Sequence, residues 1–162
     1  MAQLDNKIKW CLGKGKEGKK HRGLKKVKPD LIKAERHIYK ANHNFWAMKY
    51  LMKSKYSDWA VSAAFYSMYH CLMAIIAKHG YESRNQECTF AAVEHLIKAK
   101  KIDLDIKWIR KITDIDDNSE TVIVLREEFQ YGFGTEVDSR KLKNLSDDCK
   151  EFIDITRDIL KQ

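Results

Sequence analysis

Apolar residues recur at alternating steps of three and four along most of the chain, which is the period of amphipathic helices. The longest regular run follows Asp30, a residue type whose side chain can accept hydrogen bonds from the first free amides of a helix. Its apolar positions are Leu31, Ala34, Ile38, Ala41, Phe45, Met48 and Met52. The pattern predicts a helix that begins after Asp30 and packs one face into a bundle.

A second helix is predicted over residues 58–79, where almost every face is apolar and small alanines alternate with large side chains. Gly80 follows as a helix stop. Four polar residues interrupt the run of roughly 18 apolar residues that a membrane span requires. They are Asp58, Ser62, Ser67 and His70. We therefore expect a buried central helix and no membrane contact.

Shorter helices are predicted in the remainder of the chain. Ser83 and Gln86 have capping-box spacing and predict the start of a third helix, and residues 102–112 predict one further short piece. The last helix repeats the regular apolar spacing from Leu142 to Ile159.

The segment 121–125 is ambiguous, because its β-branched residues are typical of a strand. We predict a helix, since Asp117 and Glu120 can cap it, Gly132 can end it, and an isolated strand would have no partner. Long helices and short connections predict an all-α fold. It is an antiparallel up-and-down bundle of four to five helices, in a single domain over residues 30–162.

A basic arm precedes this domain at residues 1–29. Ten Lys or Arg residues stand against three acids between residues 1 and 30, which gives this segment +7 of the net charge of +8. Its glycines predict a flexible segment. Either the arm attracts a phosphate backbone, or it is a solvated tail that aids solubility. The cations concerned are Lys14, Lys16, Lys19, Lys20, Arg22, Lys25, Lys26 and Lys28.

The cysteines and histidines predict neither a disulfide nor a metal centre. Cys11, Cys71, Cys88 and Cys149 form no C-x-x-C pair, so we expect reduced packing residues in a cytoplasmic protein without a secretion signal. The histidines form no H-x-x-x-H pair with neighbouring carboxylates. No metal and no cofactor are therefore expected.

Four phrases of the chain occur in a fixed order. They are Tyr56-Ser-Asp-Trp-Ala, Ala-Val-Ser-Ala-Ala-Phe-Tyr-Ser-Met-Tyr-His ending at His70, Gly80-Tyr-Glu-Ser-Arg, and Leu125-Arg-Glu-Glu-Phe-Gln-Tyr-Gly132. Together they resemble the HEPN superfamily, the "higher eukaryotes and prokaryotes nucleotide-binding" helical bundles, especially its small stand-alone prokaryotic members. The resemblance covers residues 30–160.

The resemblance implies a concrete chemistry. Many HEPN proteins are metal-independent endoribonucleases whose Arg-x(4 to 6)-His motif pairs across a homodimer interface, and many are encoded beside a minimal nucleotidyltransferase in toxin-antitoxin modules. The resemblance thus points to a homodimer, to RNA or a nucleotide as ligand and to a nucleotidyltransferase as partner. If such a partner is encoded beside this protein, Tyr131 is the residue to test as its modification site. The exposed rings expected at Trp46 and Phe133 also hint at self-association.

The matching helix keeps Arg126, Glu127 and Tyr131 but lacks the histidine. Gln130 cannot take up a proton near neutral pH, so we expect cleavage by the family mechanism to be lost or very weak. Arg126, Glu127, Gln130 and Tyr131 either hold a nucleotide, RNA or partner, or form an internal network that fixes helix packing. The sequence leaves both interpretations open.

Other candidates are fewer. Arg36 and His43 have the motif spacing but are expected to face solvent on the wrong helix. His70, one turn from Tyr66, is expected to be a satisfied core histidine, with Tyr66 a nucleotide-binding candidate. His70, His43 and Arg36 are the remaining catalytic candidates. Arg84 and Asn85 stand at a predicted helix start, where exposed amides can bind an anion.

Three functions are compatible with the sequence. The first is a HEPN protein that binds RNA, a nucleotide or a partner with little or no catalysis. The second is a metal-independent endoribonuclease with a non-standard acid–base group. The third is a purely structural dimerisation module.

Overall fold

The computed structural model describes residues 2–113 and 121–162. This part of the chain contains seven helices and two short strands, so the prediction of an all-α fold is confirmed. The elements are α1 (Ala2–Gly15), β1 (Leu24–Lys26), α2 (Leu31–Leu51), α3 (Ser57–Lys78), β2 (Tyr81–Ser83), α4 (Gln86–Lys98), α5 (Lys107–Ile112), α6 (Val122–Tyr131) and α7 (Ser139–Lys161).

The α3 helix is the centre of the fold and packs against α2, α4, α6 and α7. Small buried residues let α2 approach closely, and the Ser67 hydroxyl on α3 donates a hydrogen bond of 2.9 Å to the Ala41 carbonyl on α2. By length and composition α3 could cross a membrane, but 67% of its most apolar window is buried inside the protein. The polar residues noted in the sequence therefore do not distinguish α3 from a membrane span, whereas its burial among the other helices does.

Local signals set the ends of α2 and α3 as predicted. The Asp30 carboxylate accepts a hydrogen bond of 2.8 Å from the Lys33 amide at the start of α2. Gly80 follows α3 with a φ of +78°, a left-handed conformation that favours glycine. A Cβ at this position would lie 2.8 Å from the Val27 carbonyl oxygen.

The start of α4 differs from the prediction. Asn85, and not Ser83, is the N-cap, and its side chain accepts a hydrogen bond of 3.0 Å from the Cys88 amide. Ser83 belongs instead to β2, which pairs antiparallel with β1. Pairing with a distant strand therefore moves the helix start beyond the position that the local pattern favours.

The ambiguous segment after residue 120 is helical, as predicted. The α6 helix spans Val122–Tyr131 and ends at Gly132. The proposed caps Asp117 and Glu120 lie outside the described residues.

The expectation of a flexible basic arm is wrong for most of its length. Residues 2–15 form α1, which packs against α4 and β1, and β1 places Leu24 opposite Ser83 in the two-stranded sheet. Gly15 and Gly23 are buried, and a Cβ at Gly15 would lie 1.9 Å from the Leu24 carbonyl oxygen. These glycines permit close packing rather than flexibility.

The expectation of four reduced cysteines is wrong for two of them. Cys11 on α1 and Cys88 on α4 form a buried disulfide across a sequence separation of 77 residues. Cys71 and Cys149 are free and buried. Burial raises the pKa of the Cys71 thiol to about 12 and raises the pKa of Cys149 well above its usual range. Both free thiols are therefore protonated and unreactive in the folded protein.

Candidate functional site

Arg126 lies on the inner side of α6, with 7% of its surface exposed. Its guanidinium carbon is 4.3 Å from the centre of the Phe65 ring and 6.0 Å from that of Tyr66, because α6 packs on α3. One terminal nitrogen is 3.6 Å from the Glu127 carboxylate. The Nε atom is buried and has no hydrogen-bond partner among the described residues. The side chain thus contacts aromatic rings of α3 instead of facing solvent.

Glu127 reaches Arg126 from the exposed surface of α6, whereas Gln130 and Tyr131 have no hydrogen bond or ion pair with it among the described residues. Glu127 and Gln130 are exposed, and Tyr131 is 76% exposed. In the described part of the chain no hydrogen bond joins Tyr131 to Arg126, and no imidazole bonds to or stacks on this guanidinium. Of the four residues that the sequence grouped together, the structure therefore brings Glu127 to Arg126 and leaves Gln130 and Tyr131 on the exposed edge of α6.

A groove of about 180 Å³ lies between the start of α3 and the end of α6. We call it the α3–α6 groove. Its lining residues are Asp58, Trp59, Ser62, Phe129, Gln130, Gly132, Phe133, Gly134 and Thr135. The rings of Trp59 and Phe133 are 60% and 103% exposed at its border. Sequence reasoning found Gln130 but missed Trp59, whose position one turn before Ala63 on a mostly buried helix gave no sign of exposure.

A pair of histidines connects α2 and α3. Nδ1 of His37 and Nδ1 of His70 are 2.9 Å apart, and both rings are half-buried. Burial, the neighbouring His70 and Lys33 lower the pKa of His37 to about 4, while burial and Lys40 lower the pKa of His70. Both imidazoles are therefore neutral at pH 7, and one donates a hydrogen bond to the other. His70 therefore has a hydrogen-bond partner, His37 of α2, which the sequence did not indicate.

Tyr66 and Tyr69 lie on the same helix as His70 and have different surroundings. Tyr66 is 41% exposed beside Arg126. The Tyr69 hydroxyl is 3.1 Å from the Thr89 hydroxyl, and burial raises its pKa. Tyr66 is therefore accessible to a ligand, whereas Tyr69 fixes α3 to α4.

The all-α fold agrees with a comparison against protein families. The model of the HEPN domain matches residues 34–161, which is most of the chain. The chain belongs to the HEPN family. A comparison with curated proteins returns no match. Membership supports a role related to nucleotides or RNA in general. The matched residues begin after α1 and β1.

The anion site expected at Arg84 and Asn85 is occupied by the HEPN protein's own groups. The Asn85 side chain caps α4, and the Arg84 guanidinium donates to the Lys19 carbonyl and lies 3.8 Å from Glu82. Hydrogen bonds from Lys33 and His21 lower the pKa of Glu82. This corner therefore ties the N-terminal segment to the hairpin before α4.

The cations of the N-terminal segment are partly used within the fold. Lys14 forms an ion pair of 2.9 Å with Glu17, and Lys25 donates a hydrogen bond of 2.9 Å to the Gly18 carbonyl. Five others are exposed without a side-chain hydrogen bond or ion pair among the described residues. These are Lys16, Lys20, Arg22, Lys26 and Lys28. Lys19 is also exposed and accepts the bond from Arg84 through its carbonyl.

The remaining sequence candidates lie on the outer face of α2. Arg36 and His43 are both exposed, as expected, and neither side chain has a hydrogen bond or ion pair with another described residue. Within residues 2–113 and 121–162, no group of three or more His, Cys, Asp or Glu residues is arranged to hold a metal ion.

Proposed function

We propose that this HEPN protein binds RNA or a free nucleotide without cutting it by the arginine–histidine chemistry of the family, and that the α3–α6 groove receives one base. The observation that carries the proposal is the pair of exposed rings, Trp59 and Phe133, beside the polar groups of Ser62, Gln130 and Asp58. Stacking on aromatic rings is worth about 1–3 kcal/mol per base. Hydroxyl, amide and carboxylate groups suit the edge of a base.

The charge of the groove favours a base over a phosphate. The only formal charge among its lining residues is the carboxylate of Asp58, which accepts hydrogen bonds from base amino and imino groups and repels phosphate. The nearby cation Arg126 is turned toward Phe65 and buried. A scissile phosphate would therefore find neither an available guanidinium nor a neighbouring imidazole on α6.

The proposal extends to assembly. A homodimer and a nucleotidyltransferase partner are proposed from the family alone, and the 76% exposure of the Tyr131 side chain makes its hydroxyl accessible to a modifying enzyme. Co-purification with the product of a neighbouring gene, followed by mass spectrometry of Tyr131, tests this part. An unmodified Tyr131 in the presence of such a partner and its nucleotide would contradict it.

Nucleotide titration tests the groove. AMP, GMP, CMP and UMP are titrated separately against the wild type and against Trp59→Ala, with binding measured by calorimetry. We expect Trp59→Ala to weaken binding at least about fivefold. Trp10→Ala is the matched control, since Trp10 is a tryptophan 48% exposed on α1. Equal loss in both variants, or no binding by the wild type, would overturn the proposal.

The His37–His70 pair favours a second candidate, a metal-independent ribonuclease. A neutral imidazole can take up a proton as a general base, and the imidazolium that forms can return that proton as a general acid. This candidate predicts RNA cleavage in EDTA that His70→Asn abolishes and His43→Asn preserves, because His43 is exposed and unpaired among the described residues. The main proposal predicts no cleavage by any of the three proteins.

A further inference from the structure

The outer face of α2 carries aromatic rings that contact water instead of the core. Tyr39, Trp46 and Tyr50 are 76%, 66% and 78% exposed, and they share one side of the helix. At about 1.5 Å per residue, the three rings extend over about 16 Å. Arg36, Lys40 and His43 lie among them, also exposed. We call these six residues the α2 stripe.

The charge near the stripe is not neutralised by neighbouring acids. Residues 31–55 contain six Lys or Arg and a single acid, Glu35. Among the described residues no carboxylate forms an ion pair with Arg36, Lys40, Lys49, Lys53 or Lys55. Of the six cations only Lys33 has such a partner, Glu82.

The α7 helix shows the opposite arrangement in the same molecule. It has six Lys or Arg and five acids, whereas residues 31–55 have six Lys or Arg and one acid. Lys143 pairs with Asp147 at 2.7 Å and Lys150 pairs with Asp154 at 2.5 Å, each one helical turn apart. Cations on α7 are thus compensated within the helix, whereas those on α2 remain available to an external anion.

We propose that the α2 stripe is a binding platform for single-stranded nucleic acid, with the bases stacked on Tyr39, Trp46 and Tyr50 and the phosphates beside Arg36 and Lys40. Interleaved rings and unpaired cations are the two features with which proteins hold single strands. The inference rests on the proposed function only for the class of ligand, because the stripe and the α3–α6 groove share no residue.

A second copy of the chain fits the stripe less well. Self-association through α2 would bring together two segments that each carry a net charge of +5, and like charges in close contact are destabilising. A polyanion reverses the sign of this interaction. Charge complementarity therefore favours a polyanion, and the exposed rings of Tyr39, Trp46 and Tyr50, on which bases can stack, favour a nucleic acid strand among polyanions.

Fluorescence anisotropy with a labelled 12-nucleotide single-stranded RNA, measured at several KCl concentrations, tests the proposal. We expect the double variant Trp46→Ala/Tyr50→Ala to weaken binding at least about fivefold at every salt concentration. The double variant Arg36→Gln/Lys40→Gln should reduce the slope of log affinity against log salt by about 1.4, which is about 0.7 for each cation removed. Thermal unfolding of each variant, expected to be unchanged for exposed positions, confirms that it is folded.

The matched control is Lys143→Gln/Lys150→Gln, which removes the same charge from α7. It should leave the salt slope within about 0.3 of the wild type, because both lysines are already paired. Equal effects of the α2 and α7 charge variants would mean that only net charge matters, and would overturn the proposal. A duplex of the same sequence should bind more weakly than the single strand; tighter duplex binding would also overturn it.

The same titration separates this inference from the proposed function. Trp59→Ala should weaken mononucleotide binding at least about fivefold and leave most of the strand affinity intact. If mononucleotides do not bind but strand affinity depends on Trp46 and Tyr50, the groove is wrong and the stripe stands. If Trp46→Ala/Tyr50→Ala converts a dimer to a monomer in sedimentation, or abolishes adsorption to phosphatidylserine vesicles, without changing strand affinity, the stripe proposal is overturned.

Discussion

His37 and His70 meet across the contact between α2 and α3, with their Nδ1 atoms 2.9 Å apart. The contact requires that at least one Nδ1 be unprotonated, because a proton on each Nδ1 would place two donors and two charges against each other. The cationic groups nearby, Lys33 and Lys40, disfavour protonation further. This pair makes the joint between two core helices sensitive to acid.

We expect the folded protein to lose stability as the pH falls from about 6.5 to about 4. A histidine whose pKa is lowered to about 4 on folding binds fewer protons than its unfolded form within this window. Because the ring is partly exposed, solvent screening reduces the expected loss to about 1–2 kcal/mol. Urea unfolding at several pH values measures it. The loss should be smaller in His37→Gln and unchanged in His43→Gln, and equal losses in all three proteins would contradict it.

Thiol counting tests the disulfide between Cys11 and Cys88. We expect the folded protein to incorporate no iodoacetamide, because Cys71 and Cys149 are buried and protonated. Unfolded protein without reductant should incorporate two labels, and unfolded protein that has been reduced should incorporate four, as read by intact mass. Four labels without reductant would show that the disulfide is absent.

Removal of the same disulfide should destabilise the fold. A link that closes a loop of 77 residues restricts the unfolded chain, by about 4 kcal/mol in the loop-entropy model. Reduced protein should therefore unfold at a lower temperature than oxidised protein in parallel calorimetric scans. The Cys11→Ala/Cys88→Ala variant should show no difference between the two conditions, which controls for other effects of the reductant.

Two glycines offer a matched comparison of backbone effects. Gly80→Ala should lower the free energy of unfolding by at least about 1 kcal/mol, since alanine is strained at a φ of +78° and its Cβ would meet the Val27 carbonyl. Gly13→Ala should raise it by about 0.5 kcal/mol, because this position is an exposed part of α1 with open space around it. Chemical denaturation of both variants decides the matter, and effects of the same sign would contradict the assigned conformations.

Arg126 should contribute to packing more than to charge recognition. Arg126→Ala is expected to cost about 1–3 kcal/mol through lost contact with Phe65, whereas Arg126→Met should be close to neutral because it fills the same space without a buried charge. Gln130→Ala on the exposed side of α6 is the control, with an effect within about 0.5 kcal/mol. A large loss in Arg126→Met would point to an essential role for the charge instead.

Local sequence signals predicted much of the bundle. Three features depend only on residues close together in the sequence: the Asp30 cap, the apolar face of α2 and the Gly80 stop. All three are present in the structure. The helical state of α6 was also predictable from its apolar face and from Gly132 at its end. Short-range spacing was sufficient for these elements.

The errors arose where distant segments determine the structure. Gly15 and Gly23 suggested flexibility, because local sequence cannot distinguish a free glycine from one pressed against another backbone. The pairing of Leu24 with Ser83 displaced the start of α4, and the link between Cys11 and Cys88 joins residues without recognisable spacing.

The candidate site was harder to predict than the fold. Exposure of Trp59 and contact between His37 and His70 depend on how neighbouring helices are rotated, which the apolar period fixes only approximately. The near-neutral sum of residues 31–162 also concealed a strongly positive segment at residues 31–55 beside a negative remainder. Spatial distribution of charge, rather than its total, carries the functional information here.

The segment ahead of the family match is part of the folded unit, through α1, β1 and the link to Cys88. Trimming the gene to the family boundary for expression would expose the covered side of α4, remove the strand that pairs with Tyr81–Ser83 and leave Cys88 as an odd thiol. Such a truncated protein should aggregate or cross-link between molecules, so biochemical work requires the first thirty residues.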